Sequence, residues 1–350
     1  MNYGLRIMGS TRHRSSGGYT HYNTITVNSG QVTGTLTNFP MLFAGTYTQL
    51  KTVANGGYVT NVNGYDIIFS STTASDGSGI LPFEIGSYNA TTGAVVFWVQ
   101  VPSMAVGSVI YVLYGDSAIS TSQANPTAVW DTNFLQVSHM GQASGAQLLD
   151  STSNGNNSST NTGTQAAGEW GNADNFAITE YAAFPATLSG INASSPVLTI
   201  SAWVNFPDAT NYGIVLDTRT NGGFQGIVVY ANISTGLAQF VLSGTPNLQG
   251  ANIADGGWHY VSITYSGGAS GTITGYVDAQ TPVSSNATGN GITGYGATFN
   301  TGTKTVGGGS YAYGLSTVQE MRVSKIARAA AWFAAEYNNQ SAPATFYAVT

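Results

Sequence analysis

The glutamates are the first candidates for chemistry, because hydrolysis of a glycosidic bond needs two carboxylates on either side of that bond. The two groups stand about 5–5.5 Å apart in a retaining enzyme and roughly 6.5–9.5 Å apart in an inverting one. Glutamate occurs at positions 84, 169, 180, 320 and 336. Glu320 lies in the run EMRVSK without a second acid nearby. The local sequence therefore argues against an enzyme, while a pair formed by residues distant in the chain stays open.

Histidine and cysteine offer little for metal or nucleophilic chemistry. The histidines are His13, His21, His139 and His259, and no two of them have the H-x-x-x-H spacing of a zinc site. The chain has no cysteine, so neither a thiolate site nor a disulfide can form. No serine lies in a G-x-S-x-G turn. We expect His259, which alternates with Trp258 on a predicted strand, to have a structural role.

The most informative stretch is residues 255–278, DGGWHYVSITYSGGASGTITGYVD, which predicts a hairpin. Trp258 and Tyr260 alternate with His259 and Val261, the period-two pattern of a strand with two different faces. A Gly/Ser turn follows, and a second strand is predicted over residues 272–277. We expect Trp258 to face the core of its domain, on the same side as Tyr260.

This hairpin and an earlier strand, residues 197–206 (VLTISAWVNF), resemble the laminin-G-like, concanavalin-type jelly rolls. That family has an "isAWv" strand beside a "WHyvaity…yvDg" hairpin, and the run DSTSNGNN at 150–157 resembles its "DssgnGn" turn. The resemblance covers about residues 130–350 and implies a jelly roll. Its glycoside hydrolases carry E-x-D-x-x-E on one strand, and no glutamate of this chain begins that motif.

Residues 23–120 resemble a bacterial domain family of unknown function that often precedes laminin-G-like domains. The matching runs are LTNFPMLF, YDIIFSS, LPFEIGSYNATTGAVVFWVQVP and SVIYVLYGD, in that order. Residues 94–101 are the best predicted strand, and NATTG at 89–93 is a predicted hairpin turn. The resemblance implies a small β-sandwich and brings no established chemistry.

The predicted fold class is all-β: a small β-sandwich followed by a concanavalin-like jelly roll with a short C-terminal helix. The predicted boundaries are an N-terminal arm at 1–22, the small sandwich at 23–120, a linker at 121–130 and the jelly roll at 131–350. The helix is predicted over 326–338, with Ser324 as its cap. Because the linker is short, we expect the two domains to keep a fixed relation.

Two kinds of binding site are predicted from the loops. Calcium takes oxygen ligands, and the resemblance places Asp150, Asn154, Asn156 and Asp174 in loops where relatives hold such an ion. The alternative is that these residues make turns through bonds to the backbone. For carbohydrate, the candidate aromatic platforms are Tyr212, Phe224, Tyr311 and Tyr313, each of which could equally fill a core or a subunit interface.

The amino-acid composition and the net charge of the chain limit the classes of partner that it can bind. Only 7% of residues are charged, against about 25% in an average globular protein. The net charge is −6, which argues against nucleic-acid binding by the body of the chain. Residues 1–22 carry Arg6, Arg12 and Arg14 and no acid, and we expect this arm to contact other subunits. No apolar run is long enough to span a membrane, and no secretory leader is predicted.

These features predict a non-enzymatic structural or adhesive component of an assembled particle. The interpretation favoured by the neutral surface and the arm is a bacteriophage virion protein (a decoration, fibre or tail component) that forms a homo-oligomer and binds host surface glycans weakly. The alternative is a glycan-binding protein of the bacterial cell surface, or a fragment of a larger exported chain. Calcium is the one cofactor considered.

Overall fold

The computed structural model describes residues 18–184, 197–218, 226–242, 247–268, 270–286, 299–302 and 316–350. These residues form two β-sandwiches that lie against each other. We call them the first and the second sandwich. Both are antiparallel throughout their named strand pairs, as the sequence predicts.

The first sandwich packs a three-stranded sheet, β2-β5-β4, on a four-stranded sheet, β22-β1-β6-β3. Phe69 of the larger sheet packs against Phe43, Phe83 and Phe97 of the smaller one, with ring centroids 5.2–5.7 Å apart. The strands are β1 (His21–Val27), β2 (Leu36–Thr46), β3 (Ile68–Ser70), β4 (Phe83–Tyr88), β5 (Ala94–Met104), β6 (Val109–Tyr114) and β22 (Tyr347–Val349), with 3₁₀ turns at Thr48–Leu50 and Val53–Asn55.

The turn between β4 and β5 is the predicted NATTG hairpin. The side-chain oxygen of Asn89 accepts bonds from the backbone N–H groups of Thr91 and Thr92. Gly93 closes the turn with φ +74°, and a Cβ there would lie 2.1 Å from the carbonyl oxygen of Tyr47. The predicted hairpin turn is thus present, and the structure shows that its last position is one that only glycine can occupy.

The chain ends return to one another, which differs from the predicted boundaries. Strand β22 pairs with β1, with Ile25 opposite Val349 and Val27 opposite Tyr347. The last strand thus completes the first sandwich, although the sequence analysis assigned residues up to 350 to the jelly roll. The predicted arm, 1–22, also extends too far, because Tyr19 is buried and β1 begins at His21. Residues 1–17 lie outside the described residues.

The second sandwich consists of two larger sheets. One has the order β19-β18-β17-β12-β21-β10-β9, with β7 also paired to β21, and the other has the order β16-β15-β14-β13-β20-β11-β8. The strands are β7 (Phe134–Ser138), β8 (Thr160–Asn161), β9 (Thr164–Ala167), β10 (Asn172–Phe176), β11 (Tyr181–Phe184), β12 (Leu198–Asn205), β13 (Gly213–Asp217), β14 (Ile227–Ala231), β15 (Leu237–Leu242), β16 (Leu248–Asn252), β17 (Trp258–Tyr265), β18 (Thr272–Val277), β19 (Val283–Asn286), β20 (Phe299–Gly302) and β21 (Ser316–Ser324).

The predicted hairpin is confirmed as β17 and β18, but Trp258 does not face the interior of the second sandwich. Val261, Ile263 and Tyr265 point inward, into the core between the two large sheets. Trp258 and Tyr260 share the opposite face, as predicted, and that face packs against the first sandwich and the C-terminal helix. The prediction failed because both faces of this strand are covered, so alternation alone could not tell which cover is the domain's own core.

Helix α2 (Ala330–Ser341) fills the space between the sandwiches. Its Asn339 side chain accepts from the N–H of Leu42 at 2.6 Å and donates to the C=O of the same residue at 3.0 Å. The amide thus protects the free edge of β2, as a neighbouring strand would. Two single-turn helices, α1 (Pro126–Val129) and α3 (Pro343–Phe346), lie in the predicted linker and before β22.

The cap predicted for this helix is wrong. Residue 329 precedes the first turn, and no side chain caps it. The N–H of Arg328 instead donates to the hydroxyl of Thr199 on β12, which ties the chain between β21 and α2 to the sheet. Ser324 therefore remains the last residue of β21.

One continuous cluster of buried residues joins the core of the first sandwich to the face of the second. The ring of Trp98, on β5, packs against the ring of Trp130, which follows α1, with their centroids 5.6 Å apart. Trp98 also packs against Trp170, at a centroid distance of 6.2 Å. Trp170 in turn packs edge-on against Trp203 of β12. Since these rings leave no layer of solvent between the sandwiches, the two parts hold a fixed relation.

Candidate functional site at the junction of the two sandwiches

A cleft lies beside β21, at the point where the strand that pairs with one edge of β21 changes from β10 to β7. Residues up to Val318 pair with β10, and residues from Met321 onward pair with β7. Gln319 and Glu320 lie between these two ladders. The gap in the sheet is therefore a consequence of topology, and it leaves the two polar side chains facing the first sandwich.

The opposite wall comes from the smaller sheet of the first sandwich. Glu84 on β4 and Trp98 on β5 are direct cross-strand partners, so their side chains stand side by side. The cleft between these walls has a volume of about 210 Å³. We call it the junction cleft, and it is lined by Glu84, Ile85, Gly86, Ser87, Val96, Trp98, His139, Gly141, Gln142, Trp170, Gly171, Asn172, Gln319 and Glu320.

His139 lies at the floor of the junction cleft between two carboxylates. Its Nδ1 is 2.5 Å from Oε1 of Glu320, and its Nε2 is 3.2 Å from Oε2 of Glu84. Burial opposes the charged ring, yet Glu320 and Glu84 raise the pKa of His139 to about 10. The ring is therefore an imidazolium at neutral pH. Its Nδ1–H donates to Glu320, whereas Nε2 forms an ion pair with Glu84 and has no hydrogen-bond partner among the described residues.

Glu84 is held in its ionised form. Burial alone would raise the pKa of its carboxyl group, but the charge of His139 and bonds from His139, Ser151 and Trp130 lower that pKa. Ser151 Oγ donates at 2.7 Å and Trp130 Nε1 at 3.0 Å. A carboxylate with this many donors is a poor general acid, because protonation would break those bonds.

Arg322 joins the cleft to helix α2. Its guanidinium donates to Glu336 at 2.7 Å and to Glu320 at 3.1 Å, and only 2% of its side chain is exposed. The same group lies 4.5 Å over the ring of Trp98. Tyr260 donates its hydroxyl proton to Glu336. The buried charges are thus paired in a continuous network from the first sandwich through β21 to the helix.

Backbone geometry aims Glu320 into this network. The residue has φ +55°, and the register between β12 and β21 shifts between Ser201 and Trp203, which marks a β-bulge. A left-handed conformation is unfavourable for a glutamate and persists only where its surroundings impose it. Here the bulge turns the Glu320 side chain away from the sandwich interior and toward His139 and Arg322.

Some of the polar side chains that line the junction cleft above its floor already have hydrogen-bond partners within the protein. Gln319 donates to the carbonyls of Trp170 and Asn172, and its side-chain oxygen accepts from the N–H of Glu169. The side-chain oxygen of Gln142 is buried and accepts no bond from the described residues. The cleft therefore combines an aromatic wall with one acceptor that has no partner.

The His139 network predicts a pH dependence of stability. Because the pKa of His139 is higher in the folded protein than its ordinary 6.5, its stabilising contribution is fully present below pH 6.5 and is lost as the pH rises through about 10. The melting temperature of the wild type should therefore exceed that of His139→Gln most at pH 6 and least above pH 10. Thermal unfolding at both pH values, followed by circular dichroism, measures this; a constant difference would contradict the charge assignment.

The structure does not bring the predicted carbohydrate residues into this cleft. Tyr212 is half-buried and packs edge-on against Tyr230, with centroids 5.6 Å apart, away from the lining. Phe224, Tyr311 and Tyr313 lie outside the described residues. Binding at those loops stays a prediction.

Three of the four predicted calcium ligands come together at one turn. Asp150 accepts from the N–H groups of Val137, Thr152 and Asn156, and the side chains of Asn154 and Asn156 donate to the carbonyl of Leu135. These are the bonds of the alternative interpretation, in which such residues shape a turn. Calcium at this turn stays a prediction.

Asp174, the fourth predicted ligand, lies elsewhere, on β10. One of its oxygens accepts from Asn161, the other has no partner among the described residues, and burial raises its pKa to about 7. Within the described ranges, no group of three or more His, Cys, Asp or Glu side chains could hold a metal ion. No described helix is long and apolar enough to cross a membrane.

His259 has the structural surroundings that the sequence predicted. Its Nδ1 is 2.7 Å from Asp278 and its Nε2 is 3.0 Å from Asp255, and the bond to Asp278 is the main reason that its pKa rises to about 9. The imidazolium thus ties the start of β17 to the residue that follows β18.

Glu84, His139 and Arg322 were not predicted from the sequence to be parts of one site. A signal existed in the composition. With only 7% charged residues, a glutamate or arginine inside an apolar strand, such as Glu84 in PFEIG or Arg322 in EMRVS, must be paired when buried. Their partners are distant in the chain, so the sequence offered no means of choosing them.

Comparison with known families identifies both parts of the chain. Residues 176–334 match the family model of the concanavalin A-like lectin/glucanases superfamily. The second sandwich is a concanavalin A-like domain. Residues 63–162 match the model described as Domain of unknown function (DUF2341), which overlaps the first sandwich and the start of the second. Both family assignments made from the sequence are thus confirmed. No curated protein sequence matches the chain.

Solved structures similar to the chain include the binding domain of Paraclostridial Mosquitocidal Protein 1, with 12% identity, a TM-score of 0.45, and coverage of 59% of this chain and 52% of that one. The Trypanosoma rangeli sialidase has 13% identity, a TM-score of 0.47, and coverage of 61% and 34%. The botulinum neurotoxin serotype C1 binding domain has 10% identity, a TM-score of 0.44, and coverage of 59% and 52%. This chain spans between a third and about half of the length of these structures.

Proposed function

We propose that the protein binds glycans in the junction cleft without cleaving them. The observation that carries this proposal is the arrangement of the lining: Trp170, packed against the buried ring of Trp98, forms an aromatic wall beside buried carboxylates and the unpartnered amide oxygen of Gln142. Apolar ring faces together with a few fixed hydrogen-bonding groups are typical of small-molecule sites. A volume of about 210 Å³ suits one sugar ring rather than a long oligosaccharide.

The same geometry supports binding over hydrolysis. Glu84 and Glu320 are separated by the imidazolium of His139, which contacts both. Glu320 is also bonded to Arg322. A hydrolase needs one protonated carboxyl group and one free carboxylate across the scissile bond. Here the space between the two carboxyl groups is occupied by a side chain, and their lone pairs are bonded to neighbours.

A glycan array probed with wild type and two variants tests the proposal. Gln142→Ala removes the unpartnered acceptor and should weaken binding about 5–30-fold, the range expected for loss of a hydrogen bond worth about 1–2 kcal/mol. Tyr212→Ala is the matched variant for the predicted loop site and should leave binding unchanged. Binding that survives Gln142→Ala but is lost in Tyr212→Ala would place the site at the loops instead.

A test for turnover accompanies the array. Incubation of the protein with β-glucans and peptidoglycan fragments should release no product. Reproducible release that Glu320→Gln abolishes would show that the junction cleft is catalytic and would overturn the non-enzymatic proposal.

We also propose that many copies act together on a particle, and that this particle is a bacteriophage virion; a bacterial cell surface is the alternative. Support comes from the neutral polar composition, with 7% charged residues, and from the size of the cleft, since a site for one sugar ring binds weakly. Linked sites can raise avidity by about 10²–10⁴. The predicted contact of the N-terminal arm with other subunits belongs to this proposal.

Multivalent display should therefore strengthen attachment far more than any change within one cleft. The full chain fused to a trimeric or larger scaffold is expected to bind host-derived glycans at least about a hundredfold more tightly than the monomer. Surface plasmon resonance on immobilised glycans measures both forms. Equal apparent affinity would remove the adhesive role and leave a structural one. Capsid and tail genes beside its own would favour the virion over the cell surface.

A further inference from the structure

We propose that the ligand of the junction cleft carries a protonated amine, so that the glycan bound there is an amino sugar with its nitrogen free rather than acetylated. This inference rests on the proposed glycan binding and adds the chemical class of the ligand. It comes from the charge of the lining, from the groups that already have hydrogen-bond partners, and from the aromatic wall.

The ionisable side chains that line the cleft leave a net negative charge. Glu84 and Glu320 contribute two negative charges and His139 contributes one positive charge, which gives −1. Arg322 does not line the cleft, and its charge is directed to Glu320 and Glu336. A cation that enters the cleft therefore meets an excess of carboxylate, in surroundings where water screens charge less than in bulk solvent.

The floor of the cleft has few hydrogen-bond donors left to offer. His139 donates from Nδ1 to Glu320, and its Nε2 is held 3.2 Å from Glu84 in an ion pair without a hydrogen bond. Gln319 directs its amide nitrogen at the carbonyls of Trp170 and Asn172. The buried oxygen of Gln142, by contrast, has no donor among the described residues. An ammonium group, which donates three hydrogen bonds and accepts none, complements this lining better than a neutral hydroxyl or a carboxylate would.

The tryptophans add an attraction for the same kind of ligand. Trp98 and Trp170 meet edge to face at 6.2 Å and form a corner of the cleft. The face of an indole ring attracts a cation, most strongly where water is excluded. Trp98 already holds two cations in this way, the guanidinium of Arg322 and the stacked ring of His139. Trp170 is therefore the ring left to face a ligand. The corner thus favours a sugar that carries its positive charge close to its ring.

Acetylation of the amine would remove the charge and add bulk within a volume of about 210 Å³. A charged hydrogen bond contributes about 1.5–3 kcal/mol, against about 0.5–1.5 for a neutral one. We therefore expect a glucosamine oligomer to bind about tenfold more tightly than the N-acetylglucosamine oligomer of the same length. The difference should shrink as the salt concentration rises, because screening weakens the charge term.

Calorimetric titration of the full chain with these two oligomers tests the inference. The preference for the free amine should be present at pH 6 and lost at pH 9.5, where most of the amine is deprotonated. Glu84→Gln keeps the shape and removes one negative charge, so it should reduce the preference. Asp208→Asn, an exposed acid outside the cleft lining, is the matched control and should change nothing. The pH and salt series need only wild-type protein, so they remain informative if Glu84→Gln fails to fold.

The outcomes separate the inference from the proposed function. Equal binding of the two oligomers, or tighter binding of the acetylated one, with loss of binding in Gln142→Ala would overturn the amine preference and leave glycan binding in place. If neither oligomer binds, while other glycans bind and lose that binding in Gln142→Ala, the amine preference is likewise overturned and glycan binding stays in place. The absence of any glycan binding would remove the proposed function and the inference with it.

Discussion

Replacement of Arg322 by alanine is expected to lower the free energy of unfolding by about 3–5 kcal/mol, because it leaves buried carboxylates without their counter-ion. Arg322 is bonded to Glu320 and Glu336, and the side chains of all three are only 2% exposed. The charges cannot reach water without opening the contact between α2 and the sheet. Urea unfolding followed by tryptophan fluorescence measures the loss.

Two further variants show whether the loss comes from uncompensated charge. Lys325→Ala removes an exposed cation next to the end of the same strand and should change stability by no more than about 0.5 kcal/mol. The triple variant Arg322→Met, Glu320→Gln, Glu336→Gln removes the counter-ion together with the two carboxylates that it pairs, so it should lose less stability than Arg322→Ala. An Arg322→Ala variant as stable as the wild type would mean that the network does not join the sandwiches.

Deletion of residues 343–350 is expected to prevent the first sandwich from folding. The deletion removes β22, which pairs with β1, and the buried rings of Phe346 and Tyr347. Tyr347 packs 5.5 Å from Phe43 and bonds to the backbone of Ala44. Loss of each large buried side chain costs about 3–5 kcal/mol, and the sum is comparable with the whole stability of many domains. We expect insoluble protein, or protein without cooperative unfolding.

A control substitution in β22 shows whether the effect of the deletion comes from the loss of buried rings or from any change at the C-terminus. Ala348 follows Tyr347 in β22 and is exposed, and Ala348→Ser should leave the melting temperature within about 2 °C. A truncated chain that stays soluble and melts like the wild type would show that the last residues are a dispensable tail. That result would restore the boundary predicted from the sequence.

The sequence predicted the parts of the fold that depend on short-range pattern. The hairpin of β17 and β18 follows from strict alternation around Trp258 and Tyr260, and the turn at Asn89 follows from residues that favour it. Each of these features is determined within about 25 residues. Both family assignments rest on several short runs that follow one another in a fixed order along the chain.

The sequence could not predict features that depend on pairing between the two ends of the chain. The three residues of β22 carry almost no pattern, and their partner β1 lies more than 300 positions earlier. The face of Trp258 was assigned wrongly because both faces of β17 carry large buried rings and both are covered. Alternation shows that a strand has two faces, but not what covers each of them.

The junction cleft could not be predicted from the sequence either, because the residues that form it are distant from one another in the chain. It exists because β7 and β10 follow one another along one edge of β21 and leave Gln319 and Glu320 between them. His139 then meets Glu84, 55 positions before it, and Glu320, 181 positions after it. Spacing rules for catalytic or metal sites describe residues near in sequence, and none of them covers such a set.

The most direct test of glycan binding in the junction cleft is a crystal structure of the full chain soaked with the tightest-binding glycan found on the array. We expect density for one sugar ring between Trp170 and the floor formed by His139, within hydrogen-bonding distance of the side-chain oxygen of Gln142. Density at the loop of Tyr212, or at any other surface with the junction cleft empty, would contradict it.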